Sequence, residues 1–178
     1  MTTKITKDFN FQAAVHFDNK FLVNYYEMNA RLTVETDDVR EQNIAIERMS
    51  YLLQNQLEDC IFVHEKEEEA IAKYTAAGIK VCILPEEPYD QIIGLVLVNK
   101  CNAIMEGRIV LREIDFGSKL SNLIKFTITD EAAEIEYPGK FWWNDKTTTV
   151  YNKKKKDKIV PLFAKDDWAE LELTWEEN

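Results

Sequence analysis

The chain is short of the residues on which most catalytic and metal-binding sites are built. Two histidines, His16 and His64, and three cysteines, Cys60, Cys82 and Cys101, are spread over 178 residues. No CxxC pair or Cys/His cluster occurs among them, which excludes the usual zinc-ligand spacings. An odd, unpaired cysteine count reads as reduced thiols, buried as small hydrophobes in a cytoplasmic protein. With five glycines there is no glycine-rich phosphate loop, and no Gly-x-Ser-x-Gly elbow accompanies the histidines. Positive charge is scarce too. Lys and Arg number 22 against 32 Asp and Glu, a formal charge of −10, and that field repels phosphate backbones and anionic membrane surfaces alike. Nucleic acid is therefore an unfavoured partner. The most apolar run, Ile92 to Val98, falls far short of the ~20 residues that span a bilayer. The N-terminus has no apolar core of the signal-peptide kind. The expectation is a soluble, cytoplasmic protein with one main domain.

What the chain does have is alternation. Phe9, Phe11, Ala13, Val15 and Phe17 fall on one face of a strand, with Asn10, Gln12, Ala14, His16 and Asp18 between them. Tyr26, Met28, Ala30, Leu32 and Val34 repeat the pattern against Glu27, Asn29, Arg31, Thr33 and Glu35. A period of two sustained this long predicts an antiparallel hairpin with one buried and one wet face. Asp38-Val39-Arg40-Glu41 is a capping box. Behind it Ala45, Met49, Leu52, Leu53, Leu57 and Cys60 share a face at helical spacing, which predicts a helix from 38 to 58. A second helix runs through Glu67, Ala70, Ile71 and Tyr74 and stops at Gly78. Ile79 to Leu84 is a short apolar run ahead of Pro85-Glu86-Glu87-Pro88. Pro88 then opens a buried helix from Tyr89 to Met105, which Gly107 closes. Arg108 to Phe116 and Leu123 to Thr129 predict a second hairpin, joined through Gly117-Ser118-Lys119.

From residue 130 the composition turns aromatic and charged. It finishes with Ala169, Leu171, Leu173 and Trp175 alternating with Glu170, Glu172 and Thr174, the pattern of a terminal strand. The expected fold class is α+β: an antiparallel sheet from two hairpins with two long helices on one face. A core domain covers 1–129, and a β-rich C-terminal extension over 130–178 packs on it. A ferredoxin-like arrangement, with Ile79–Leu84 as a strand between helices, is the alternative.

The order hairpin, helices, hairpin resembles the tunnelling fold of the 6-pyruvoyltetrahydropterin synthase and 6-carboxytetrahydropterin synthase family. Phe11-Gln12-Ala13-Ala14 is similar to the family's Phe-x-Ala-Ala-His. Asn29-Ala30-Arg31-Leu32-Thr33-Val34-Glu35 is similar to the strand after its His-Gly-His, and Pro88 to the proline of its Asn-Pro-Thr-Ala-Glu-Asn helix start. The similarity in order spans residues 9–128. It implies a homo-oligomer that closes its sheets into barrels, with ligand sites at subunit boundaries. It also implies a carboxylate that grips the edge of a purine or pterin ring, for which Glu113 is the nearest counterpart. The family's zinc-binding histidines fall on Val15, Tyr26 and Met28, none of which replaces a neutral imidazole. Its catalytic cysteine falls nearest to Leu22. His16 comes one residue late, and alternation turns it to the other face. The implied relative is zinc-less and cofactor-free.

Two functional readings follow. In the first, the chain is a metal-free oligomer that binds a small planar heterocycle or serves as a scaffold, with no catalytic residue nominated. In the second it is a non-enzymatic accessory protein, of a kind a phage encodes. There Phe141, Trp142 and Trp143, with Lys153, Lys154, Lys155 and Lys156, would meet a protein or nucleic-acid partner. The plain structural reading of those residues is tryptophans packed on the sheet and lysines in a solvated loop that blunts a sheet edge. Glu65 to Glu69 reads as a solvated helix start, Glu86 and Glu87 as a rigid turn, and His64 as an exposed loop residue.

Overall fold

Long alternating strands dictate the centre of the molecule. The computed structural model describes residues 3–138, 141–148 and 150. In it β1 (Lys4–Phe17) and β2 (Lys20–Val34) pair antiparallel along their whole length, from Lys4 opposite Thr33 to Phe17 opposite Lys20. Phe9, Phe11, Ala13 and Val15 share a buried face with Tyr26, Met28, Ala30 and Leu32. At the tip, Asp18 and Asn19 have φ of 51° and 57°, the sign that a type I′ hairpin turn requires. A second hairpin, β5 (Ile109–Ser118) and β6 (Lys125–Thr129), continues the sheet beyond β2. Between the hairpins, α1 (Val39–Tyr51) and α3 (Asp90–Met105) pack over the same apolar face. The fold is α+β.

The sheet is mixed rather than antiparallel. Its order is β4-β3-β1-β2-β5-β6, and β3 (Ile61–His64) and β4 (Val81–Leu84) run parallel to β1. The cause is a crossover through α2 (Glu68–Ala76), a βαβ unit that returns a parallel strand. Ile61, Phe62 and Val63 are all buried; a strand covered on both faces shows no alternation and little sequence signal. Ala14, Ile61, Val63 and Val81 pack beneath Tyr74 and its neighbours on α2, on the face opposite α1 and α3. The element order also departs from the βαββαβ of the ferredoxin-like alternative.

Other expectations shift. The helix behind Asp38 ends at Tyr51 and runs on as a π-helical turn, Leu52–Gln56, which keeps Leu52, Leu53 and Leu57 in the core. Asp38 accepts from the amides of Arg40 and Glu41, while the Glu41 side chain pairs with Arg108 instead of closing the box. Gly117 and Ser118 belong to β5, so the connection to β6 begins at Lys119. Gly117 is required because a Cβ there would collide with the main-chain oxygen of Ile124. The β2–β5 register slips at Arg112, and this bulge turns Ile109 and Leu111 inward on one side of it and Ile114 and Phe116 on the other. Past Thr129, which caps it, the chain forms a helix, α4 (Asp130–Glu136), where a β-rich extension was expected. The terminal strand expected at 169–175 and Lys153 to Lys156 lie outside the described residues.

A lysine closes one side of the core. Lys100 of α3 is fully buried and donates to the main-chain oxygens of Trp142 and Asp145, each at 2.7 Å. The Trp142 indole donates in turn to Ile83 O at 2.8 Å, on the outer edge of β4. Burial pulls the Lys100 ammonium down to about 8, with the Asp145 carboxylate opposing. An unfolded lysine titrates near 10.4, so between those values the unfolded chain holds the extra proton and stability rises with pH. Over the same range the buried thiols of Cys82 and Cys101, which burial pushes up, oppose this by lowering stability as pH rises. The Lys100 contribution is therefore a difference: in urea unfolding at pH 8 and pH 9.5 the wild type should gain stability relative to Lys100→Met as pH rises. At pH 7, Lys100→Ala should cost about 2–4 kcal/mol, from the cavity and two stranded carbonyls, and red-shift the tryptophan emission.

Candidate ligand-binding site

Where the hairpin tips meet the start of α3, sheet and helix part around a cavity of about 340 Å³. Its apolar walls come from Val15 and Phe17 of β1, Leu22 of β2, Phe126 of β6, and Tyr89 and Leu120. The Phe17 and Tyr89 rings meet edge to face at 5.5 Å. Polar side chains interrupt this lining at Asn24, Asp90, Gln91 and Ser121.

Asp90 is the first residue of α3 and is 5% exposed. Proline just ahead of it and a carboxylate in the first turn both suit a helix start. Its oxygens are held by different hydroxyls: Ser118 Oγ donates to Oδ1 at 3.0 Å and Ser121 Oγ to Oδ2 at 2.6 Å. Both donors are neutral, so the buried anion keeps the capacity to accept a strong N–H bond from the cavity. Asn24, 4% exposed, spends its Oδ1 on the amides of Tyr25 at 2.9 Å and Leu120 at 3.1 Å. That fixes the amide plane, with the Nδ2 end near the Tyr26 hydroxyl. The wall therefore offers the Asp90 acceptor in apolar, aromatic surroundings. Deeper in, Tyr26 stacks with Phe11 at 5.0 Å and Phe116 at 5.5 Å. Its hydroxyl is buried, with no partner in full hydrogen-bond geometry and the Asn24 amide nearby. Burial pushes that phenol well above its usual value, the Asn24 amide opposing and the Asp90 charge adding to the rise.

Zinc does not fit here. At the places where the resemblance puts the metal's histidines, Val15, Tyr26 and Met28 are all in the core, and Leu22 lines the cavity where the family's cysteine would fall. Both histidines are occupied elsewhere. His16 Nδ1 lies 2.9 Å from Tyr74 Oη, which fastens α2 to the other face of the sheet, while its Nε2, 3.7 Å from Glu67, is buried without a hydrogen-bond partner. His64 sits buried in β3 rather than in an exposed loop, because β3 is covered on both sides, and its Nδ1 lies 3.2 Å from Glu87. Among the described residues no group of three or more His, Cys, Asp or Glu side chains is placed to hold a metal ion.

Glu113 stands on the wet face of β5, beside the Arg112 bulge, where Arg31 bridges it to Asp115; it is not among the residues that line the cavity. Trp142 and Trp143 are 5% and 3% exposed, and half-exposed Phe141 stacks on Trp143 at 4.6 Å. Sequence reasoning passed over Asn24, Asp90, Ser118 and Ser121. Asn24 carries a signal, a polar residue between Leu22 and Tyr26 on an otherwise apolar strand face. Asp90 carries a weaker one, an acid two places after the proline that opens α3. The two serines carry none, since only the path of the β5–β6 turn brings them to Asp90. A second cavity, about 420 Å³, lies between α3, α4 and β5. Its polar groups are already engaged: Asn99 with Ala133 O, Asn102 with the Leu111 main chain, and Arg112 with Asp130 and Glu35.

No family model and no curated protein matches the chain. Among solved structures it is similar to an uncharacterised protein of Wolinella succinogenes, with TM-score 0.48 and 8% identity over 73% of this chain and 99% of that one. It is also similar to a catalytic-residue mutant of the 6-pyruvoyltetrahydropterin synthase of Plasmodium vivax, with TM-score 0.46 and 12% identity over 72% and 97% of the two chains. At these scores neither likeness bears on chemistry.

Asp90→Ala should destabilise the protein by about 1–3 kcal/mol, because it takes the acceptor from the buried Ser118 and half-buried Ser121 hydroxyls and removes the helix-start carboxylate. Asp90→Asn, which still accepts from one serine, should cost less. Denaturant unfolding of the two variants checks the order; equal, negligible losses would show that Asp90 does not hold the β5–β6 turn.

Proposed function

We propose that this protein binds a small planar heterocycle, without a metal, in the cavity at the start of α3, and that it works as a homo-oligomer. The observation that carries the reading is the buried Asp90 carboxylate in the lining of a cavity walled by Phe17, Tyr89 and Phe126. A flat ring with an N–H on its edge gives that carboxylate a donor, and aromatic walls reward a planar face. The volume admits a bicyclic ring with a substituent on it. The order of hairpin, helices and hairpin supports the same reading, through the family that it resembles. In this chain the carboxylate that takes the ring edge is Asp90 rather than Glu113, whose position on the wet face suits ion pairing with Arg31.

Thermal melting and titration calorimetry with a soluble pterin and a soluble purine nucleoside test the reading. At least one probe should raise the melting temperature by about 2–5 °C at saturating concentration. Asp90→Asn should weaken that probe about ten- to a hundredfold, the worth of a charge-assisted hydrogen bond. Leu120→Arg, at an exposed rim position, should block the cavity and leave the fold intact. No shift with either probe, or a shift that survives both substitutions, would remove the cavity from consideration.

A further inference from the structure

Among the described residues, much of β1 has no neighbouring strand on its outer side. β3 pairs with it only at Ala14 and Val15. There the Ala14 N–H donates to Cys60 O, the Asp59 N–H to Gln12 O, and the Gln12 N–H to the Glu58 carboxylate. These bonds establish the parity of the strand. The main-chain groups of Gln12 and Ala14 point away from β2, so by alternation those of Lys4, Thr6, Asp8 and Asn10 do the same. Among the described residues no main-chain hydrogen bond reaches that edge between Lys4 and Asn10. An edge this long is a template for another strand.

We propose that this edge is an interface between two copies of the chain, with β1 pairing antiparallel to the partner's β1 about a two-fold axis at Thr6. A symmetric pair needs outward-facing residues opposite one another. The register centred on Thr6 provides this and sets Lys4 opposite the partner's Asp8, and Asp8 opposite the partner's Lys4. Two ion pairs arise from one symmetry operation. Centring on Lys7 would set Lys4 opposite the partner's Asn10 and leave Asp8 opposite a threonine, centring on Asp8 would oppose two carboxylates, and centring on Ile5 would lose both pairs. Charge therefore selects one register.

Lysines on an edge ordinarily discourage pairing. Lys7 does not stand in the way, because it is drawn over the Phe9 ring at 5.1 Å and towards Ser50. Asp8 is held in place by Asn29 at 2.7 Å. The pairing would join two six-stranded sheets through about six main-chain hydrogen bonds. So short a contact suits a dimer that forms at about 10 μM rather than a permanent one. It rests on the homo-oligomer proposed above and gives it a surface. It is independent of the ligand, because the cavity takes Val15 and Phe17 from the opposite end of the strand.

Sedimentation of the full chain from about 1 to 100 μM, with native mass spectrometry, tests it. The wild type should pass from monomer to dimer. Lys4→Asp alone and Asp8→Lys alone should each weaken association about tenfold or more, and an equimolar mixture of the two should regain it as a heterodimer with both charge pairs restored. Thr6→Pro removes an outward N–H, which an edge strand tolerates. It should yield a monomer with wild-type circular dichroism and unchanged ligand response in the cavity. Hydrogen exchange at the Thr6 and Asp8 amides should slow as concentration rises. A wild type that stays monomeric at 100 μM overturns both this interface and the oligomer. A dimer indifferent to Thr6→Pro and to the charge reversals overturns the interface alone and points to another edge such as β6. Protection of those amides independent of concentration overturns it too, since a segment of the same chain would then occupy the edge.

Discussion

The pairing of β1 with β2 holds Phe9, Phe11, Ala13 and Val15 on one face with Tyr26, Met28, Ala30 and Leu32, and a slip of one residue would turn one strand's whole set towards water. The cost of such a slip, at roughly 1.5–3 kcal/mol for each large side chain exposed, is comparable to the entire stability of an ordinary domain. The register is thus not negotiable, and the rest of the molecule is placed from it. α1 and α3 lie on the face it makes apolar. α2 lies on the opposite face, at the end where Ala14, Ile61, Val63 and Val81 make a second apolar surface. The same register decides which main-chain groups of β1 face outward and which of its side chains reach the cavity.

Polar groups in this fold act mainly as fasteners. His16 holds α2 through Tyr74, His64 holds the turn after β4 through Glu87, and Lys100 holds the segment after α4 through two carbonyls. Each histidine sets one partner, and Lys100 two, against the cost of its burial. The cavity differs. Asp90 is just as buried, yet its carboxylate accepts from only two neutral hydroxyls and keeps hydrogen-bonding capacity beyond what holds the β5–β6 turn. Spare capacity of that kind, in an apolar wall, distinguishes a place that can receive a ligand from one that only completes the core.

Parts of the fold were legible because one face of an element is wet. The hairpins, the start of α1 at Asp38 and the span of α3 all follow from period, cap and glycine stop. Even the bulge at Arg112 shows in the text, where Ile109 and Leu111 alternate in one phase and Ile114 and Phe116 in the other. β3 and β4 are a different matter. Buried on both faces and four residues long, they leave no period to read, and His64 at the end of one looks like a loop residue.

By itself the sequence determined which faces are apolar, hence the two hairpins, the long helices above them and the exclusion of a zinc site at Val15, Tyr26 and Met28. It did so because side-chain periodicity is a local property of the chain. Only the tertiary structure decided that α2 covers the far face, that the sheet is mixed, and that the carboxylate beside an open cavity is Asp90 rather than Glu113. Those outcomes depend on contacts between residues far apart in the chain. Ser118 and Ser121 reach Asp90 across about thirty positions, and no period in the sequence encodes a meeting of that length.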